Sequence, residues 1–380
     1  MYFRLNPECY FIKGSRCGAI YDLIEGNIYA LDSEETKIVE SCEKSKIVEK
    51  ENELLGNLKK LCLGNFYDKR AYIEKLRLGS PIEESQPGHP PQLNRAFLEI
   101  NNLCNRNCWF CGYHGVKRSS GCIGCNKWNE NGEILSMERW REIIDELKDL
   151  DCKDIFITGG DLTLAWNKTM DILDYADGKF RKIYITLHEQ SFSEKIEKDL
   201  TNKAQPIIQA EKLDGIQSED LIFLLTVRPE EFKNLKSINS KKVMIDFVSE
   251  DFSSLPLDIP LISKRKIAKE NMYQFFHNIK YHPCIGNTLA ISHTGNVLPC
   301  PMMRNHFLGN VRDRELYTIF EKGKEEIDKF WNLTLDNIEK CRDCEFRYAC
   351  NDCRALEEKL TEKLEGKRLC NYESEEGKWL

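Results

Sequence analysis

The chain has 380 residues, 41% of them hydrophobic and 10% aromatic, which is enough apolar material for folded cores and, by length, for about two to three domains. Its 55 basic residues fall short of its 62 acidic ones, and the net charge of -7 is spread along the chain, so nothing favours nucleic-acid binding; no apolar run approaches the ~18 residues of a membrane span. With 17 cysteines and no export signal at its start, a chain this large and charged is expected in the reducing cytoplasm, with cysteines serving as metal ligands in place of disulfides.

Residues 9–12 and 19–24 read as short strands, a turn falls at Gly26-Asn27, and charged helical stretches follow from Ser33, together a small α+β module. Residues 79–91, with Pro81, Pro87, Pro90 and Pro91, resist helix and mark a domain boundary. Residues 96–100 then read as a strand. Ser136 N-caps a helix whose Met137, Trp140, Ile143, Ile144, Leu147 and Leu150 share one face, and residues 154–158 form the next strand, a βαβ order that implies a parallel sheet. Further strands are expected at 182–187, 221–227 and 243–248, with polar, partly helical stretches such as 193–203 between them. Beyond His282 the alternation is lost and cysteines become dense, so a compact terminal module held by metal more than by an apolar core is expected. No internal repeat is visible.

Cys104, Cys108 and Cys111 form a CxxxCxxC run directly after the first strand of the α/β region. Three such thiolates can hold three irons of a 4Fe-4S cluster and leave the fourth open for something else; zinc with His114 is the structural alternative. Thr158-Gly159-Gly160-Asp161 closes the second strand, its glycines permitting close backbone approach. The chain further on carries seven cysteines: Cys284, Cys300, Cys341, Cys344, Cys350, Cys353 and Cys370. A hairpin around Thr294-Gly295-Asn296 would bring Cys284 and Cys300 together, and the CxxCx5CxxC run can wrap metal, either iron-sulfur clusters or structural zinc.

Over roughly residues 93–281 the chain resembles the radical S-adenosylmethionine (SAM) superfamily, with its CxxxCxxC loop after the first strand of a partial (β/α)6 TIM-like barrel. The resemblance implies that S-adenosyl-L-methionine chelates the open iron and is cleaved to a 5'-deoxyadenosyl radical that takes a hydrogen atom from the substrate. It places Phe110 near adenine, Gly159, Gly160 and Asp161 at the cofactor ammonium with Asp where the family has Glu, Thr186 and Thr226 at the ribose, and Arg228 at the carboxylate. The terminal region, with its Gly-x4-Cys step, Pro299-Cys300-Pro301 and Gly309-Asn310, resembles the SPASM domain, except that the family's CxxxC is CxxC here. Three 4Fe-4S clusters follow from the two resemblances: the radical SAM cluster, an auxiliary cluster on Cys341, Cys344, Cys350 and Cys370, and a second auxiliary cluster on Cys284, Cys300 and Cys353. The last lacks a fourth cysteine; an open iron there would suit a substrate thiolate, and the alternative is that another side chain or a water fills the position.

Cys122 and Cys125 form a further CxxC in an insertion after the radical loop, read equally as metal ligands, a redox pair, substrate contacts or plain loop cysteines. His188, at a strand end, either faces substrate or is simply solvated. The front of the chain resembles a winged-helix-like peptide-leader recognition element, which would bind an extended leader at a sheet edge; support of the barrel or dimerisation is the plainer alternative. The expected division is therefore 1–79 leader recognition element, 80–92 linker, 93–282 radical SAM core and 283–380 SPASM domain. The function this implies is an oxidoreductase that matures a ribosomally made precursor peptide, with a reduced flavodoxin or ferredoxin as electron donor and no nucleic acid or membrane partner. The bond expected is a crosslink, foremost a cysteine thioether to carbon; carbon-carbon or carbon-oxygen crosslinking, epimerisation, sulfatase-type side-chain oxidation and a non-catalytic metal-bearing peptide binder are the alternatives.

Overall fold

The computed structural model describes residues 1–77, 93–212, 221–234, 242–250 and 269–379, so the proposed linker at 80–92 lies outside the described residues. The first strands are β1 (Tyr2–Leu5), β2 (Cys9–Lys13), β3 (Gly18–Asp22) and β4 (Ile28–Leu31), followed by helices α1 (Ser33–Glu43) and α2 (Glu53–Lys60) and by strand β5 (Gly64–Tyr67). β2, β3 and β4 make an antiparallel meander, and β1 pairs with β5. α1 begins where Asp32 accepts the backbone N–H groups of Glu34 and Glu35 while Glu35 returns a bond to the Asp32 N–H, a reciprocal cap.

The central region runs β6 (Arg95–Asn101), β7 (Lys117–Arg118), α3 (Met137–Asp149), β8 (Asp154–Gly159), α4 (Trp166–Ala176), β9 (Lys182–His188), α5 (Glu194–Leu200), β10 (Gln205–Ala210), β11 (Ile222–Val227), β12 (Val243–Ser249) and α6 (Met272–Lys280). β6, β8, β9, β10, β11 and β12 pair in parallel and in chain order, the partial (β/α)6 barrel expected from the sequence. α3 buries Trp140, Ile143, Ile144 and Leu147 against Ile155 and Ile157 on the outside of the barrel, each such side chain contributing roughly 1.5–3 kcal/mol by burial. Inside, Phe97, Phe156 and Tyr184 stack across three strands, with ring centroids 4.8 and 4.6 Å apart.

Two sequence expectations change. Strand β10 was not anticipated, because Gln205, Pro206 and Gln209 break its apolar pattern; Pro206 is tolerated because it precedes the first residue paired with β11. Nor is the terminal region a separate module held mainly by metal. β13 (Thr288–Ile291) pairs in parallel with β6 and antiparallel with β14 (Asn296–Leu298), which pairs in turn with β15 (Gly309–Asn310), so one ten-stranded sheet runs through barrel and hairpin. Leu289, Ile291, Leu316, Phe320, Phe330 and Trp331 belong to the same apolar core as α3, which is why the region is held by packing as well.

The N-terminal meander rests on the last third of the chain. Ile12, Tyr21 and Leu23 pack with Phe275 of α6 and with Leu333, Leu335, Ile338 and Phe346, and the buried Tyr21 hydroxyl donates to the Glu345 carbonyl at 2.9 Å. No helix among the described residues is long and apolar enough to cross a membrane.

Candidate metal and cofactor centres

β6 ends at Asn101, and the loop beyond it carries Cys104, Cys108 and Cys111 at the C-terminal mouth of the barrel, the end at which barrel sites form. Burial first, and then the charges of Cys104 and Cys111, push the Cys108 thiol up to about 11, so the three thiols lie within one another's field. Cys111 Sγ accepts the Lys127 N–H at 3.3 Å.

The glycines at the end of β8 are required by this loop. A Cβ on Gly159, whose φ is +139°, would stand 2.3 Å from the Asn101 carbonyl oxygen, and one on Gly160 would stand 2.2 Å from that of Leu103. The Gly160 and Asp161 N–H groups donate to those same carbonyls. Asp161 then accepts from the Thr163 N–H and hydroxyl and from the Ser191 hydroxyl, with Arg106 at 3.3 Å. Burial acts to raise its carboxyl, but these bonds and Arg106 hold it below the usual range.

Cys104, Cys108, Phe110, Cys111, Gly160 and Asp161 line one cavity, together with Arg106, Cys125 and His188. The buried Phe110 ring stacks on His188 at 6.1 Å. Burial, with Arg106 nearby, lowers the His188 pKa and favours the neutral ring; its Nδ1 accepts the Gln190 N–H, which leaves Nε2 as the donor. Thr186, Thr226 and Arg228 are not among the residues that line this cavity. Arg228 lies half-exposed over the Trp109 ring at 4.1 Å.

Both threonines serve a segment that the sequence reading left unassigned. Residues 118–126 enter the barrel and are gripped by β8, β9, β10 and β12, with β11 acting through Gln209. Thr158 donates to the Gly124 carbonyl and Thr186 to the Ile123 carbonyl; Gln209 accepts the Cys125 N–H at 2.7 Å and donates to Thr226; and Asp246 accepts from Arg118 Nε at 2.7 Å and from the Ser120 N–H at 2.8 Å. Arg118 and Asp246 have fully buried side chains, and Arg118 also donates to the Cys125 carbonyl and to Asn126. Arg118, Gln209 and Asp246 were missed; the available signal was a lone carboxylate in the otherwise apolar strand Val243–Ser249.

This plug separates the two cysteines of its CxxC pair. Cys125 faces the radical loop, whereas Cys122 packs in the same core as Cys284, Cys300 and Cys353. The other four, Cys341, Cys344, Cys350 and Cys370, line a cavity of about 510 Å³ under the N-terminal meander. Burial pushes the Cys341 thiol up to about 12, partly offset by Lys367. Between the two groups lies a buried knot: Asp352 meets His282 at 3.2 Å, Lys367 at 2.7 Å and Arg354, and despite its burial Lys367 and Arg354 hold it well below the usual carboxylate range.

Zinc would draw four thiolates to about 3.8 Å of one another, given a Zn–S bond of about 2.3 Å. Among the described residues no three cysteine sulfurs come within 4.8 Å of one another, so none of the groups is drawn together as a tetrahedral zinc site requires. Among the described residues the one close ligand-type trio is Glu99, Glu130 and His293, and its two carboxylates already hold the Arg304 guanidinium, which meets Glu99 at 2.8 and 2.9 Å and also bonds Glu130. Beside it a cleft of about 790 Å³ opens between Gly112 and Tyr113 of the radical loop's turn and Met302, Met303, Arg304 and Lys359 of the terminal region.

The family model described as "Radical SAM superfamily" matches residues 98–201, and that described as "Iron-sulfur cluster-binding domain", SPASM, matches residues 284–345. The first span contains the radical loop and Gly159 to Asp161; the second begins at Cys284 and stops before Cys350. Similar solved structures include BtrN in complex with AdoMet and 2-DOIA, 17% identical over 72% of this chain and 99% of that one with a TM-score of 0.40, and Streptococcus suis SuiB bound to precursor peptide SuiA, 15% identical over 94% and 97% with a TM-score of 0.44. No curated protein matches. The chain thus carries a radical SAM domain, within which the cysteine loop and the Gly159-Gly160-Asp161 turn both fall. It carries a SPASM domain, and 4Fe-4S clusters and S-adenosylmethionine are its cofactors.

Gly160→Ala is expected to displace the cysteine loop, lowering bound iron by about four per chain on metal analysis and stability by about 1–3 kcal/mol in denaturant titration. Asp246→Ala strands Arg118 inside the barrel and should cost about 3–5 kcal/mol by the same titration.

Proposed function

We propose that the enzyme matures a precursor peptide, abstracting a hydrogen atom from one residue and closing a crosslink. The observation that carries this reading is the cleft between the radical loop's turn and the SPASM segment: its 790 Å³ and its Glu130, Arg304 and Lys359 suit a polar peptide segment. When bound, the cluster and S-adenosylmethionine supply reductive sulfonium cleavage and hydrogen-atom abstraction. The chain's own residues position the rest. Gly159 and Gly160 seat the cysteine loop, Phe110 and His188 wall the cofactor cavity, and Arg304, stacked 4.5 Å over Trp128 and paired with Glu99 and Glu130, lines the cleft as a fixed polar group. A reduced flavodoxin or ferredoxin would supply the electron, and two auxiliary clusters beside the radical SAM cluster bring the proposed total to three.

The N-terminal meander supplies a place for the leader. The Asp22 N–H bonds the Asn27 carbonyl, so by antiparallel alternation Ala30 turns its own N–H away from β3, toward the outer edge of β4. The Asn27 to Lys269 bridge covers the start of that edge, while Ala30 is exposed and, among the described residues, unpaired there. An extended leader can add to it as a further strand.

Two outcomes test the reading. Anaerobic reconstitution should give about twelve irons per chain and 5'-deoxyadenosine after dithionite reduction, falling to about eight irons and no 5'-deoxyadenosine in the Cys104→Ala, Cys108→Ala, Cys111→Ala variant; zinc in place of iron would instead favour a non-catalytic peptide binder. Ala30→Pro should weaken binding of a fluorescent leader peptide, taken from a precursor encoded beside the gene, about tenfold in an anisotropy titration while leaving iron content unchanged.

A further inference from the structure

The CxxC pair of the barrel plug raises a question that spacing could not answer: which centre, if any, each cysteine serves. The helical turn Gly121–Ile123 is held in place from several sides. Thr186 and Thr158 hold the carbonyls of Ile123 and Gly124, Asn126 Nδ2 donates to the Gly121 carbonyl at 2.7 Å, and Gln209 fixes the Cys125 N–H. The chain must also be glycine at 124, where a Cβ would stand 2.2 Å from Arg118 Nη2. Cys122 is therefore carried on a rigid turn and aimed to one side.

That side is the hairpin β13–β14. Cys122 packs against Phe97, Ala290 and Leu298; Ala290 and Leu298 are cross-strand partners, and Leu298 leads directly to Cys300. A Cβ on Gly121 would be 3.0 Å from Met302 Cε, just beyond Cys300. The four sulfurs lie within electrostatic reach of one another: Cys122 of Cys284, Cys300 of Cys122, Cys284 and Cys353, and Cys353 of Cys284 and Cys122. Two cations flank the group, Arg95 beside Cys122 and Cys284 and Lys359 beside Cys300 and Cys353, as suits a cluster whose four thiolates leave it negatively charged.

We propose that Cys122, from the barrel plug, is the fourth protein ligand of the auxiliary centre otherwise formed by Cys284, Cys300 and Cys353, and that this centre is closed to substrate. The inference rests on the reading of the chain as a radical SAM enzyme with auxiliary clusters. It changes that reading in one respect: the open iron invoked for a substrate thiolate is filled by the chain itself, so a thioether, if it is the product, forms without an iron-held cysteine. It also makes the plug a strap, with Cys122 tied to one cluster while Cys125, three positions on, faces the cysteines of another.

The test uses the full chain, reconstituted anaerobically with iron and sulfide, in the Cys104→Ala, Cys108→Ala, Cys111→Ala background, which removes the radical loop's open iron. This background should hold about eight irons per chain and give a reduced electron paramagnetic resonance spectrum indifferent to added free cysteine. Adding Cys122→Ala should either make the spectrum respond to free cysteine or drop the iron to about four, whereas adding Cys125→Ala should do neither. The inference is overturned if Cys122→Ala keeps eight irons with an indifferent spectrum, if the background already responds to free cysteine, or if Cys125→Ala loses the same iron, which would place the cause in the plug's fold instead of the sulfur. A background that takes up no iron-sulfur at all overturns both this inference and the reading beneath it.

Discussion

The buried ion pair between Arg118 and Asp246 is the constraint on which the site depends. Two charges enclosed in a barrel gain little over a well-packed apolar pair, yet either one alone is severely destabilising, so the seating of residues 118–126 that pairs Arg118 with Asp246 is favoured over any that parts them. That seating fixes where the peptide groups of Ile123, Gly124 and Cys125 fall, and the inner faces of β8 to β10 are polar at Thr158, Thr186 and Gln209 to receive them, with Thr226 of β11 holding Gln209. A barrel interior that would otherwise be filled by side chains alone is filled here in part by the chain's own backbone, with its hydrogen-bonding groups met.

What was legible in the sequence is what local chemistry determines. The CxxxCxxC loop, the Gly159-Gly160 turn and the helix face from Met137 to Leu147 each depend on residues a few positions apart, and each stands where the pattern placed it. β10 was invisible because two glutamines and a proline occupy half of it; its glutamine turns inward to hold the plug, so the very residue that spoils the strand pattern is the one with a task. Arg118 and Asp246 are 128 positions apart, and no periodicity connects them. The proximity of Cys122 to the cysteines of the terminal region escaped notice for the same reason, since three strands and a hairpin have to be assembled before they meet.

The expectation of a terminal module held mostly by metal failed for a different reason. Strands of two to four residues with Thr, Asn and Gly look weak in isolation, but β13 borrows the edge of β6 and so inherits a ready ladder and the barrel's apolar core. Metal sites and sheet are interleaved there: Cys300 follows β14 directly, and the Asp352 knot of His282, Arg354 and Lys367 fills the space between the two cysteine groups with paired charges.

The bond from the Tyr21 hydroxyl to the Glu345 carbonyl spans 324 positions of sequence. During synthesis the N-terminal meander leaves the ribosome long before the surface that buries Ile12, Tyr21 and Leu23 has been made, and that surface is itself the wall of a cysteine-lined cavity. A segment made early is thus among the last to reach its final packing, and until then it presents an apolar face and an open strand edge to its surroundings. Cluster assembly in the cell has to keep pace with that closure, so the order in which chain ends meet becomes as much a part of making this enzyme as the supply of iron.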